Sequence, residues 1–178
     1  MRHLFTPMTL VLALASVVAP AAAPGDDTPT PAGSPALESL LPSYDAARDA
    51  LADDRLGGLA APAHELRRAI AALADDGLTT AAAGVPDEKL GDVKALLPAL
   101  RKASEALAAA SSLPRARDAF HDLSKSLIAW RKLAGSGPDV GFCPMLGRSW
   151  LQAPGSPVEN PYGGRSMAGC GNVAPPRR

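Results

Sequence analysis

Apolar residues recur at intervals of three and four positions along four separate stretches of the chain. This spacing places the apolar side chains on one face of a helix, so each stretch predicts an amphipathic helix. No stretch shows a competing strand pattern. The predicted helices cover residues 35–53, 54–74, 87–111 and 114–134. Four amphipathic helices joined by short connections indicate an all-α fold, an antiparallel four-helix bundle over residues 35–134.

Local residues mark where these helices begin and end. Ser34 followed by Pro35 suits an N-cap and a first-turn proline at the start of the first helix. Gly57-Gly58 and Pro62 interrupt the second apolar stripe, so we expect a kink or a late helix start near Pro62. Glycine and proline over residues 135–138 end the fourth helix.

Residues 135–173 follow the bundle, and we expect them to form an irregular segment that packs on it. Helices rich in alanine bury little apolar area each, which leaves room for a cover that completes the core. The aromatic residues Phe142, Trp150 and Tyr162 are the side chains that we expect to dock on the bundle, with the polar edges of Trp and Tyr near water.

The two ends of the chain have their own patterns. Residues 1–21 combine Arg2 near the start, an apolar run over residues 10–18 and a small-residue cleavage site, which is typical of a secretory signal peptide. The apolar run is shorter than the roughly 20 residues that span a bilayer. We therefore expect a periplasmic or secreted mature chain without a membrane span. Residues 22–34 predict a disordered, proline-rich linker, and residues 174–178 a tail.

Charge and motifs exclude several functions. Acidic and basic residues are equal in number, 18 of each, so no excess of charge points to nucleic acid or to an anionic membrane surface. The sequence contains no cofactor motif and no paired acid and base arrangement. We expect a protein that is not an enzyme.

Sulfur chemistry is concentrated near the C-terminus. Both cysteines and two of the four methionines fall in one segment, as Cys143, Met145, Met167 and Cys170. Thiolates and thioethers are soft ligands that Cu(I) or Ag(I) prefers, whereas Zn²⁺ and Ca²⁺ favour imidazole or oxygen. The segment is therefore a candidate site for Cu(I), with Ag(I) as an alternative.

The spacing of these residues permits two half-sites. In Cys143-x-Met145, an extended backbone would direct both side chains to one side. In Met167-x-x-Cys170, one helical turn would place both side chains on one face.

The same two cysteines are also candidates for a disulfide. A secreted chain with two cysteines in an oxidising compartment commonly forms one. Closing the loop between Cys143 and Cys170 would stabilise the fold by roughly 3–4 kcal/mol in the chain-entropy model. A disulfide consumes both thiolates, so the disulfide and the metal site exclude each other at any one time.

Four short motifs together resemble those of a known family. They are Cys143-Pro144-Met145, Trp150-Leu151-Gln152, Asn160-Pro161-Tyr162 and Met167-Ala168-Gly169-Cys170-Gly171. The set resembles a secreted bacterial domain family of uncharacterised function, found alone or appended to periplasmic adaptor subunits of copper/silver RND-type efflux systems. The resemblance implies a periplasmic role in metal handling, with an efflux adaptor or a copper-handling protein as partner.

Two hypotheses of different classes follow. In the first, the chain is an exported accessory protein that binds a soft metal and serves metal efflux or homeostasis. In the second, it is a disulfide-stapled helical module that binds a protein partner and no metal.

Overall fold

The computed structural model describes residues 33–174 of the chain. The predicted signal peptide, the linker up to residue 32 and the tail from residue 175 lie outside the described residues.

The described part of the chain is mainly helical. Four substantial helices form from the four apolar stripes, and a helix of one turn lies between the second and third of them. The helices are α1 Pro35–Ala52, α2 Ala60–Asp75, the short α3 Thr80–Ala83, α4 Asp87–Ala108 and α5 Leu113–Ala134. The prediction of four long helices is therefore confirmed.

The start of α2 follows from its sequence. A short 3₁₀ turn, Leu56–Gly58, precedes α2, which begins at Ala60 rather than at residue 54. Pro62 then falls in the first helical turn, where its missing N–H would have no intrahelical partner in any case. The late start near Pro62 that the sequence predicts is confirmed.

Ser34 caps α1, as the sequence predicts. Its side-chain oxygen accepts a hydrogen bond from the backbone N–H of Leu37, at 3.2 Å. The Ser34 hydroxyl also donates to the carbonyl of Ala82 at 3.1 Å, and Ser34 itself is buried. The same residue therefore begins α1 and ties it to α3.

The four long helices pack around one core. Helix α1 contacts α2, α2 contacts α4, α4 contacts α5, and α5 contacts α1. The largest fully buried side chains are Trp130, Trp150, Tyr44, Phe120, Leu37, Leu40, Leu51, Leu59, Leu66, Ile70, Leu100 and Leu107. Trp130 satisfies its indole N–H by donating to the carbonyl of Ala83 at 3.0 Å. No helix within residues 33–174 is long and apolar enough to cross a membrane.

The segment after the bundle forms a small antiparallel sheet, which corrects the prediction of an irregular segment. Its strands are β1 Asp139–Cys143, β2 Arg148–Gln152 and β3 Asn172–Ala174, in the order β2-β1-β3. The prediction failed because these strands are short and do not alternate clearly. In β2, Trp150, Leu151 and Gln152 are buried in succession, so the strand has no period of two to detect.

The sheet attaches to the bundle through buried polar contacts. Strand β2 packs on α5. The Leu151 N–H donates to the Tyr44 hydroxyl at 3.0 Å, and that hydroxyl lies 2.6 Å from the Ser124 hydroxyl on α5. The Tyr162 hydroxyl donates to the Ser149 carbonyl at 2.7 Å. Hydroxyl groups within the core thus satisfy backbone groups of β2.

The predicted docking aromatics divide into two groups. Trp150 and Tyr162 are buried in the common core, with ring centroids 6.2 Å apart. Phe142 is 43% exposed, so the prediction that it completes the core is wrong. Its neighbours Gly141 and Cys143 face the interior, and alternation along β1 therefore turns Phe142 outward.

Candidate thiol site

Cys143 lies where β1 ends and the chain turns. Residues 144–147 form the turn that leads back to β2, and the Gly147 N–H donates to the Cys143 carbonyl at 2.9 Å. Met145 projects from this turn and is 75% exposed. The extended Cys-x-Met backbone that we expected does not form, because Pro144 begins a turn rather than continuing the strand.

Cys170 follows a helical turn on the other side of the site. The Cys170 N–H donates to the Met167 carbonyl at 2.8 Å, so residues 167–170 form the kind of turn that would place both side chains on one face. Met167 is half-buried and packs against the core beside Gly163. Because of this hydrogen bond, Met167 and Cys170 lie in the same short turn.

The fold brings the two cysteines together across 27 positions of sequence. Their sulfur atoms lie 3.8 Å apart, and both residues are free thiols. Cys143 is buried, whereas Cys170 is half-buried. A disulfide bond is about 2.05 Å long. At 3.8 Å the two sulfurs are in van der Waals contact but not bonded to each other, so the pair is placed either to form a disulfide or to bind one ion.

Asn160 fixes the turn that carries Cys170, which the sequence analysis did not foresee. Its side-chain amide donates to the Cys170 carbonyl at 2.9 Å. Its side-chain oxygen accepts the Tyr162 N–H at 2.9 Å. The sequence places Asn160 in a Pro-containing turn, and an asparagine there has a simpler explanation in the turn itself. Full burial, which only the structure shows, requires partners for its amide.

The surroundings of the two thiols shift their pKa values in opposite directions. Burial raises the pKa of Cys143, but hydrogen bonds from the Leu146 N–H, the Cys170 thiol, the Asn160 amide and the Met145 N–H outweigh burial and hold this pKa below the ordinary thiol value. The pKa of Cys170 is raised, first by its hydrogen bond to Cys143, then by burial and by the charge on Cys143. Cys143 is therefore the thiol that ionises first.

We predict that single variants of the reduced protein separate these two titrations. In Cys170→Ser, the remaining Cys143 thiolate should appear at a lower pH than an ordinary thiol. In Cys143→Ser, the pKa of Cys170 should fall back toward the ordinary value, because the group that chiefly raises it is gone. Ultraviolet absorbance of the thiolate against pH measures both values.

The lowered pKa of Cys143 also makes the stability of the Cys170→Ser variant depend on pH. The folded state releases the Cys143 proton at a lower pH than the unfolded state does, so the unfolded state binds more protons between the two pKa values. Stability of the reduced variant should rise with pH from the folded pKa up to the ordinary thiol value. Coincident titrations in the two single variants would contradict this account of the site.

Asp54 holds the segment that carries Met167 and Cys170 against the helices. Its carboxylate accepts from Arg117 at 2.5 Å and from the Arg165 backbone N–H at 3.1 Å. The hydrogen bond from Arg117, and next that from Arg165, lower the pKa of Asp54. The Arg165 side chain donates to the Asp53 carbonyl at 2.9 Å. The end of α1 is thereby bonded to the turn that precedes Cys170.

Of the four predicted ligands, the structure brings Cys143 and Cys170 into contact, places Met167 one turn from Cys170 and leaves Met145 at the exposed tip of its turn. Among residues 33–174, no group of three or more His, Cys, Asp or Glu side chains is placed to hold a metal ion. Comparisons of the chain with protein-family models, with curated proteins and with solved structures found no match.

Proposed function

We propose that this chain is an exported accessory protein that binds a soft monovalent metal ion, Cu(I) by preference and Ag(I) as an alternative. The observation that carries the proposal is the contact between Cys143 and Cys170, whose sulfurs lie 3.8 Å apart. Hydrogen bonds from the Leu146 and Met145 N–H groups to the Cys143 sulfur support its thiolate form, which is the form that binds metals.

The methionines are the candidate thioether ligands beside this pair. Met167 shares a helical turn with Cys170 and packs against the core. Met145 lies in the exposed turn after Cys143 and would bind by folding back toward that residue. Thioethers carry no charge and need no deprotonation, so they remain available as ligands at low pH.

The bundle serves this site as a scaffold. Contacts between helices that follow one another in the chain, with short connections between them, support an antiparallel arrangement of the four long helices. The proposed role is to hold the ion for a periplasmic efflux adaptor or a copper-handling protein, outside the cytoplasm and without catalysis.

The test of metal binding uses the reduced protein under anaerobic conditions, with Ag(I) or Cu(I) added in excess. An ion present at 100 times its dissociation constant should raise the free energy of unfolding by about 2.7 kcal/mol. The Cys143→Ser/Cys170→Ser double variant is the control and should show no such rise. An equal rise in the double variant, or none in the reduced wild-type protein, would overturn the proposal.

A second candidate function is a disulfide-stapled module that binds a protein partner. It is favoured by the contact between the two sulfurs and by a group of exposed apolar side chains on the same hairpin, Phe142, Met145 and Leu146. Alkylation of acid-quenched cells, followed by intact mass measurement, separates the two candidates. A disulfide with and without added copper supports the module, whereas two free thiols, or thiols that copper protects, support the metal site.

A further inference from the structure

Asn160 is fully buried, and its side chain bonds the backbone of Cys170, whose sulfur lies 3.8 Å from that of Cys143. Its amide nitrogen donates to the Cys170 carbonyl at 2.9 Å. Its oxygen accepts the Tyr162 N–H at 2.9 Å. Its own backbone N–H donates to the Ala168 carbonyl at 2.7 Å. One residue thus links the Cys170 turn to the Tyr162 turn.

The sheet alone does not hold the sulfurs together. The pairing of β1 with β3 runs from Val140 to Phe142, and its last pair joins Phe142 to Asn172. Cys143 and Cys170 both lie beyond this last pair. The Asn160 side chain and its backbone N–H hold the Cys170 turn just past the end of the ladder, where the pairing of β1 with β3 has stopped.

We infer that Asn160 is a positioning residue that holds the sulfurs of Cys143 and Cys170 in contact, so that one soft metal ion can bind both. The inference deepens the proposed function and rests on it for the metal; the positioning itself concerns the thiols with or without an ion. Asparagine fits this position because leucine of similar shape lacks both hydrogen-bonding groups, and aspartate lacks the two donors.

The first measurement is the effective concentration of the two thiols, which needs no metal. The reduced protein is equilibrated with glutathione and glutathione disulfide. Oxidation joins the two protein sulfurs, while the disulfide bond of the oxidant takes up the two electrons and two protons and yields two glutathione thiols. Asn160→Leu should lower the effective concentration about tenfold, the equivalent of one lost hydrogen bond.

Asn160→Asp separates positioning of the thiols from formation of the turn. Aspartate keeps an oxygen that can accept the Tyr162 N–H, but it donates no hydrogen bond to the Cys170 carbonyl. We expect the effective concentration to fall in this variant as well. A value equal to that of the wild-type protein would show that Asn160 acts only on the turn and would overturn the inference.

Gln152→Leu is the matched control for a general loss of stability. Gln152 is a buried amide of the same layer, which accepts from the Trp150 indole N–H at 2.9 Å and donates to the Ser156 carbonyl at 2.9 Å. Neither of these contacts involves a cysteine. The variant should lose stability yet keep the effective concentration of the thiols close to that of the wild type. An equal fall in Gln152→Leu and Asn160→Leu would overturn the positioning role.

The second measurement is the affinity for Ag(I) by competition with a chelator. Asn160→Leu should bind Ag(I) about tenfold more weakly than the wild-type protein does. If the wild-type protein binds no ion while the variant still lowers the effective concentration, the proposed metal function fails and the positioning role stands. If the wild-type protein binds the ion and Asn160→Leu changes neither value, the positioning role fails and the metal function stands.

Discussion

Replacement of Trp150 by alanine is expected to lower the free energy of unfolding by about 3–5 kcal/mol, the range for removing a large buried aromatic side chain. Trp150 is fully buried in the layer between the sheet and the bundle, edge-on to Tyr162. Its indole N–H donates to the Gln152 side chain at 2.9 Å. The substitution therefore leaves a cavity and also leaves a buried amide oxygen without its donor.

Urea unfolding monitored by circular dichroism measures this loss, and Phe142→Ala is the control on the same sheet. Phe142 is an exposed aromatic of β1, so its truncation should cost less than about 1 kcal/mol. The ring of Trp150 also lies against Gly171, beside Cys170, so Trp150→Ala should loosen the contact between the thiols. A cost below about 1 kcal/mol in Trp150→Ala would contradict its place in the core.

The helices could be predicted because each has its own apolar stripe. In α1, for example, Leu37, Leu40 and Tyr44 follow one another at helical spacing, and all three are buried. Such a pattern is local, so a single stretch of sequence contains it. The four long helices and the cap at Ser34 are accordingly confirmed by the structure.

The sheet could not be predicted from the same kind of signal. Strand β1 has five residues and β3 has three, and their burial depends on which distant elements pack on them. Gly141 is buried because Trp150 lies over it, not because its own residue type favours the interior. Burial that depends on such tertiary contacts produces no periodic pattern of apolar residues in the sequence.

One part of the candidate site could likewise be predicted from the sequence, and another part could not. The two cysteines could be singled out because the chain contains no others, and the structure places their sulfurs in contact. The geometry around them could not be foreseen, since Pro144 starts a turn that carries Met145 outward. Asn160 was also missed, because only its burial distinguishes an amide that bonds the Cys170 backbone from an ordinary turn residue.

Replacement of Gly141 by alanine is the second change with a large expected effect, although it adds only one methyl group. A Cβ atom at this position would lie 2.7 Å from Cδ2 of Trp150 and closer still to two other ring carbons. The two residues are direct partners in the β1–β2 pairing, so the backbone cannot shift without breaking that ladder. We expect a loss of stability at the upper end of the roughly 1–3 kcal/mol typical of overpacked cores.

Gly91→Ala is the matched control for this prediction. Gly91 lies inside α4 with no neighbouring atom within 4 Å of an added Cβ. Because glycine weakens a helix interior, this variant should gain about 0.5–1 kcal/mol. The same chemical change should thus have opposite signs at Gly141 and Gly91, as measured by urea unfolding of both variants.

A double-variant cycle tests the cause of the loss at Gly141. If the added methyl group destabilises the protein through the Trp150 ring, then Gly141→Ala should cost almost nothing when Trp150 is already alanine. The coupling between the two changes should then reach about 3 kcal/mol, the upper end of the range for residues in contact. Additive costs would show that the added methyl group destabilises the protein through a contact other than the one with the Trp150 ring. Coupled costs would show that position 141 must be glycine to leave room for the Trp150 ring, and thereby for the packing of the C-terminal segment that carries both cysteines.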